Sequence, residues 1–244
     1  MKSNHSLLSK LNPSAKLFSH LLAMCILMAV SDPKATLLIW LLAVSIGVFL
    51  GGWTLAYLAK RLLPYLVFFI LVFWMMAAFG KGEETLWQWA WFHVTKESVS
   101  NGLTIALRML GFVTYGLLFT STTDLTQFIM SLIHQCRLSP KWAYGLLAGF
   151  RFVPLFQSEL AQMKAAHKIR GYKQKNSRKA FIRYSLPLFS QGIRKSERIA
   201  VAMEARGFTG TRDRTYYQTT RLSVKDGAYL AGLLFAVAVI LLAA

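Results

Sequence analysis

The chain has 244 residues, 55% of them hydrophobic, 14% aromatic and only 16% charged, with a mean hydropathy of +0.43. That balance excludes an ordinary soluble globular domain and indicates a polytopic membrane protein. The net charge of +18 would suggest nucleic acid in a soluble chain. In a membrane protein, basic residues report topology and contact with anionic lipid, so membrane lipid is the expected partner and nucleic acid is not.

The first twelve residues are polar and lead through Asn12, Pro13 and Lys16 into an apolar run at 15–30. No small-residue cleavage pattern follows that run, so a retained first helix is expected. Further apolar runs lie at 35–50, 64–79, 103–119 and 228–242. Each is near the lower limit of the ~17–25 residues that span a bilayer, which predicts about five or more transmembrane helices in an all-α fold. Between the third and fourth runs, Trp87, Trp89 and Trp91 fall in one short segment and are expected to form an interfacial belt. Cys25 is expected as a small buried hydrophobe and Cys136 as an ordinary reduced thiol, with no metal site implied.

Orientation follows from the basic residues. Nineteen of the 28 Lys and Arg lie between 121 and 225, and only Lys34, Lys81 and Lys96 fall on the opposite side of the expected spans. The bias predicts a cytoplasmic N-terminus in the cell inner (plasma) membrane. Arg108 sits inside the fourth run, where a guanidinium is costly. Pairing within the helix bundle is the preferred explanation, ahead of a place on a transport pathway.

The expected organisation is therefore a membrane domain of four helices at 1–120, a cytoplasmic or interfacial domain at 121–225 and a last transmembrane helix at 226–244. The middle domain is basic yet reads as helical. Ser121, Thr122, Thr123 and Asp124 provide caps ahead of an apolar pattern, and Pro140 opens a helix after Ser139. The stretch 142–156 is apolar enough to suggest a further short span. Two long amphipathic rods are expected to follow, from Pro154 to Arg170 and from Pro187 to Arg206. In the second, Ile182, Leu186, Phe189, Ile193, Ala200 and Met203 share one face.

Enzyme signatures are sparse. The sequence contains no phosphate-binding GxxxxGK[ST] loop, no HExxH and no GxSxG, and the five histidines are isolated from one another. No catalytic residue, metal ligand or bound cofactor is expected. What stands out is a pair of rod ends thirty-six residues apart: Ala166, Arg170, Gly171 and Tyr172, then Ala202, Glu204, Ala205, Arg206, Gly207 and Phe208. Each glycine can end its helix in the left-handed conformation, and each arginine complements the negative end of the dipole. That accounts for either end alone. The matched pair suggests more: alanine keeps a flank slim, arginine presents a planar fork of donors to carboxylates or carbonyls, and the aromatic can anchor in an apolar pocket.

These residues resemble the transmembrane T component of energy-coupling factor transporters, the family that includes the CbiQ-type subunits. The segment Leu11 to Phe18 is similar to the family's N-terminal Leu-Asp-Pro-x-x-Lys signature. The segments TTDLTQFIMSL and GFRFVPLF fit the approach to its coupling region, and the two ends fit its paired Ala-Arg-Gly motifs. Ala205-Arg206-Gly207 is an intact match; at the first end Ile169 replaces the alanine. The resemblance implies a coupling subunit that hydrolyses nothing itself. Two ABC-type ATPases, which carry the ATP and Mg, would each receive one arginine tip, and a small integral membrane S component would capture a vitamin or transition-metal ion. The alternative is a stand-alone carrier with its own substrate pathway.

Overall fold

A computed structural model of the protein describes residues 6–80, 85–89, 92–171 and 177–243, and the side chains at 85–93 and 177–180 are excluded from that description. After a 3-10 turn at Leu7–Lys10, the helices are α1 (Pro13–Ala29), α2 (Pro33–Phe49), α3 (Leu55–Phe79), α4 (Lys96–Thr122), α5 (Leu125–His134), α6 (Pro140–Ile169), α7 (Ser177–Ala205) and α8 (Val224–Ala243). Their starts follow local rules. Asn12 and Asp32 cap α1 and α2 through their side-chain oxygens, each with proline in the first turn. Thr95 and Ser98 form a reciprocal capping box at α4.

Among the described residues, α3, α4 and α8 are long and apolar enough to cross a membrane, while α1 and α2 are apolar but have seventeen residues each. The third helix starts nine residues before the expected position, because Thr54 caps it and Pro64 lies inside it. The tryptophan segment contains an antiparallel hairpin, β1 (Thr85–Trp89) and β2 (Phe92–Thr95), with Gln88 opposite His93 and Trp89 opposite Phe92. Alternating aromatic and β-branched residues favour such a ribbon. The expected interfacial belt concerns side chains outside the described residues.

The chain divides into two compact units, one of Met1–Ser131 with Gln218–Ala244 and one of Leu132–Tyr217. The first unit packs α1, α2, α4 and α8 around Leu27, Ile39, Ala43, Tyr115, Leu118, Leu233 and Val237. Close approach depends on small residues. A Cβ on Gly111 would lie 2.5 Å from Leu27 Cδ2, so a larger residue there would have to displace the Leu27 side chain between α1 and α4. Polar side chains tie the same helices together. Trp40 Nε1 donates to Thr114 Oγ1 at 3.1 Å, Trp53 Nε1 donates to Ser121 Oγ at 3.0 Å, and His20 Nε2 is 2.9 Å from the Tyr229 hydroxyl. Arg108 donates to the Val30 carbonyl at 2.7 Å, the structural pairing preferred from sequence. Cys25, expected inside, lies exposed on the outer face of α1. Lys16, in the first turn of α1, is buried at 1% exposure.

The second unit is built on α6 and α7. Both run further than the expected rods: Pro154 and Pro187 lie inside helices that begin at Pro140 and Ser177. Proline removes one backbone donor without ending a helix whose flanking turns are otherwise satisfied. The apolar stretch 142–156 is thus part of α6, which is not among the described helices long and apolar enough to cross a membrane.

Candidate functional site

The ends of α6 and α7 show why the sequence places glycine after arginine. At α6, the Arg170 N–H donates to the Ala166 carbonyl at 3.1 Å and the Gly171 N–H to the Lys168 carbonyl at 3.1 Å. At α7, the Phe208 N–H donates to the Met203 carbonyl and the Gly207 N–H to the Glu204 carbonyl, both at 2.9 Å. Bonds of this kind satisfy carbonyls that a helix end otherwise leaves open, and the reach from Phe208 back to Met203 requires a left-handed residue before it. Gly171 and Gly207 provide it at φ of 73° and 82°. A Cβ at either glycine would meet nothing within 4 Å, so backbone conformation, and not a neighbouring side chain, demands glycine.

The side chains ahead of each closure stand in the open. Ala166, Arg170 and Gly171 are exposed, as are Ala202, Glu204, Ala205, Arg206 and Gly207, while Phe208 is half-buried. Tyr172 lies outside the described residues. Ile169, which occupies the alanine position of the first motif, is 87% exposed.

Packing between α6 and α7 sets where the tips lie. Lys195 makes an ion pair with Glu159, and a Cβ on Gly192 would lie 2.9 Å from the Phe156 ring. Further along, His167 meets Tyr184 edge-on at 5.3 Å. These contacts fall on residues 156–167 of α6 and 184–195 of α7. The contacting pairs Phe156/Gly192 and Glu159/Lys195 have the same thirty-six-residue spacing as Arg170/Arg206. From the Phe156/Gly192 contact, each arginine lies fourteen residues further along its own helix, about 21 Å at 1.5 Å per residue.

The second tip has a brace that sequence reading missed. From Phe208 to Tyr216, alternate residues turn back onto the segment that leads into α6. The Phe208 ring is 5.5 Å from Tyr144 and edge-on to it, Arg212 donates to the Arg137 carbonyl, and Tyr216 meets His134 at 4.8 Å. The Arg214 guanidinium lies 5.1, 5.0 and 5.5 Å from the ring centres of Tyr144, Phe208 and Tyr216. Phe208 thus packs within its own unit, against Tyr144 and Arg214. Among the described residues no group of three or more His, Cys, Asp or Glu side chains could hold a metal ion.

Comparison with known proteins gives the family. The sequence profile of the CbiQ family, described as cobalt transport protein, matches residues 4–217. The chain belongs to the CbiQ family. It is 29% identical over 217 residues to the energy-coupling factor transporter transmembrane protein EcfT of Lacticaseibacillus paracasei, covering 84% of this chain and 79% of that one. It is 28% identical to the EcfT of Staphylococcus aureus over 91% of this chain and 87% of that one. Against the EcfT of Bacillus subtilis the identity is 25%, over 94% and 91%. Membership in the CbiQ family and the long apolar helices together make this chain the membrane component of a transporter.

Proposed function

We propose that this CbiQ-family chain is the energy-coupling subunit of an importer. Its two tips, at Arg170-Gly171 and Ala205-Arg206-Gly207, dock in acidic grooves on two ABC-type ATPase subunits. ATP and Mg belong to those partners, and this chain hydrolyses nothing. Movement of the ATPases shifts α6 and α7, and the shift reorients a small integral membrane S component that carries a vitamin or transition-metal ion as substrate. The N-terminus and the tips face the cytoplasm, as the distribution of basic residues implies. The observation that carries this reading is the pair of exposed arginines, one at the glycine-closed end of each of two packed helices and each fourteen residues beyond the Phe156/Gly192 contact. Such an arrangement suits two like partners better than one.

The test is co-purification from the native membrane. The tagged chain is expected to recover ABC-type ATPases and a small hydrophobic protein. Arg170→Glu with Arg206→Glu replaces two donors by like charge in an acidic groove, a loss of about 2–5 kcal/mol per desolvated contact, and abolishes ATPase recovery. Unchanged ATPase recovery with the double variant would sink the docking role of the tips.

A further inference from the structure

The first turn of α1 holds both places where the chain passes between its two units. On the outgoing side, Lys16 Nζ donates to the Thr122 carbonyl and Thr122 Oγ1, each at 3.2 Å, and to Thr123 Oγ1 at 3.3 Å. These oxygens lie at the C-terminal end of α4, where the helix dipole favours a cation, and they use all three ammonium protons. Two residues from Lys16, the Ser14 hydroxyl is 2.7 Å from that of Ser131 on α5, and Ser131 is the last residue of the first unit before the chain leaves it. On the returning side, Asn12 Nδ2 donates to the Arg221 carbonyl at 3.2 Å. Asp226 accepts from the Asn12 N–H at 2.8 Å with one carboxylate oxygen and from the Ser223 N–H at 2.7 Å with the other. Asn12, Lys16, Ser131 and Asp226 are 6%, 1%, 0% and 5% exposed.

A buried ammonium and a buried carboxylate are costly to leave without partners, so neither junction can shift freely while the turn at Asn12–Lys16 keeps its place. The arrangement is also economical: one helical turn reaches the chain's only two connections to the unit that carries the tips. We propose that this turn is a clamp on both junctions, and that Asn12, Lys16 and Asp226 are positioning residues through which movement of the second unit reaches the membrane helices. The transmission role rests on the coupling reading above; the clamp itself does not.

Hydrogen exchange measured by mass spectrometry tests the clamp on the purified chain alone. Lys16→Met is expected to speed amide exchange at least tenfold at both junctions, 122–131 and 218–226, because the two are held by one turn. Asp226→Asn should do the same from the other side, and Lys16→Arg should restore protection at least partly. If each substitution loosens only its own junction, the junctions are independent and the clamp is wrong. Where Lys16→Met does not accumulate as folded protein, Ser14→Ala makes the milder test with the same two outcomes.

Transmission is tested in the purified complex with Mg-ATP as the only added ligand. In wild type, Mg-ATP is expected to change exchange in α6 and α7 and also in the first turns of α1 and α8. In Lys16→Met the change in α6 and α7 persists and ATP hydrolysis stays within twofold, while the change in α1 and α8 is lost. Retention of the α1 and α8 response overturns transmission through the clamp, and so does a parallel loss of every response. If wild type brings down no ATPase, the coupling reading fails instead, and exchange in the isolated chain still decides the clamp.

Discussion

In the first unit, Lys16, Thr114, Ser131 and Asp226 are all at most 5% exposed and each has a hydrogen-bonding partner. In the second unit, Phe181, Ile182, Leu186, Phe189 and Ile193 are 58–73% exposed on α7. In the first unit, exposed apolar side chains such as Phe68 and Trp74 lie on α3, a helix long and apolar enough to cross a membrane; the second unit displays its apolar face on α7, which is not among the described helices of that kind. A contiguous exposed apolar face of this kind marks a surface that works in contact with something else. The contrast also separates two kinds of sensitivity: substitutions in the first unit should act on the stability of the chain, and substitutions on α7 should act on assembly.

The largest expected effect that would sharpen this contrast is at Gly111. Gly111→Leu forces a side chain into Leu27, which is fully buried, and overpacking of this kind costs about 1–3 kcal/mol. Detergent-titrated unfolding of the purified chain should show it, with no defect in ATPase recovery from whatever folds. A smaller effect is expected at the brace. Arg214→Ala removes contacts to three rings, each worth about 0.5–1 kcal/mol at an accessible site; it should accelerate hydrogen exchange at 206–216 and weaken ATPase recovery, leaving exchange at Arg170 unchanged. The smallest effect on stability belongs to Phe189→Ser with Ile193→Ser. Each exposed substitution should change the stability of the chain by less than about 0.5 kcal/mol, while co-purification of the small membrane protein falls. Marked destabilisation of the isolated chain by that pair would break the comparison, because it would mean the face is already covered.

The sequence made the helices legible wherever caps and apolar period agree. Asn12-Pro13 and Asp32-Pro33 mark the starts of α1 and α2, and Ser139-Pro140 marks that of α6. Proline misled where it lies inside a helix, at Pro64, Pro154 and Pro187, because one missing donor does not outweigh the satisfied turns on either side. The hairpin at Thr85–Trp89 and Phe92–Thr95 escaped notice because tryptophan was weighed for its membrane preference and not for its alternation. At the site, Arg170, Gly171, Arg206 and Gly207 could be named from sequence, since positive φ at a helix end has a residue signature. The Arg214 brace could not, because its rings come from residues as far apart as Tyr144 and Tyr216. The segment Asn12–Lys16 was visible only as a resemblance; its contacts with Thr122, Ser131 and Asp226 join positions more than a hundred residues apart.

The equal fourteen-residue arms from the Phe156/Gly192 contact to the two arginines place a constraint on length that composition does not reveal. One residue inserted between Phe156 and Arg170, or between Gly192 and Arg206, would rotate that arginine by about 100° relative to the contact and advance it about 1.5 Å. The same residue inserted at 172–176 would leave both spans as they are. Variation in chain length is therefore tolerable between the two helices and costly within either, and a compensating insertion would have to occur in both arms at once.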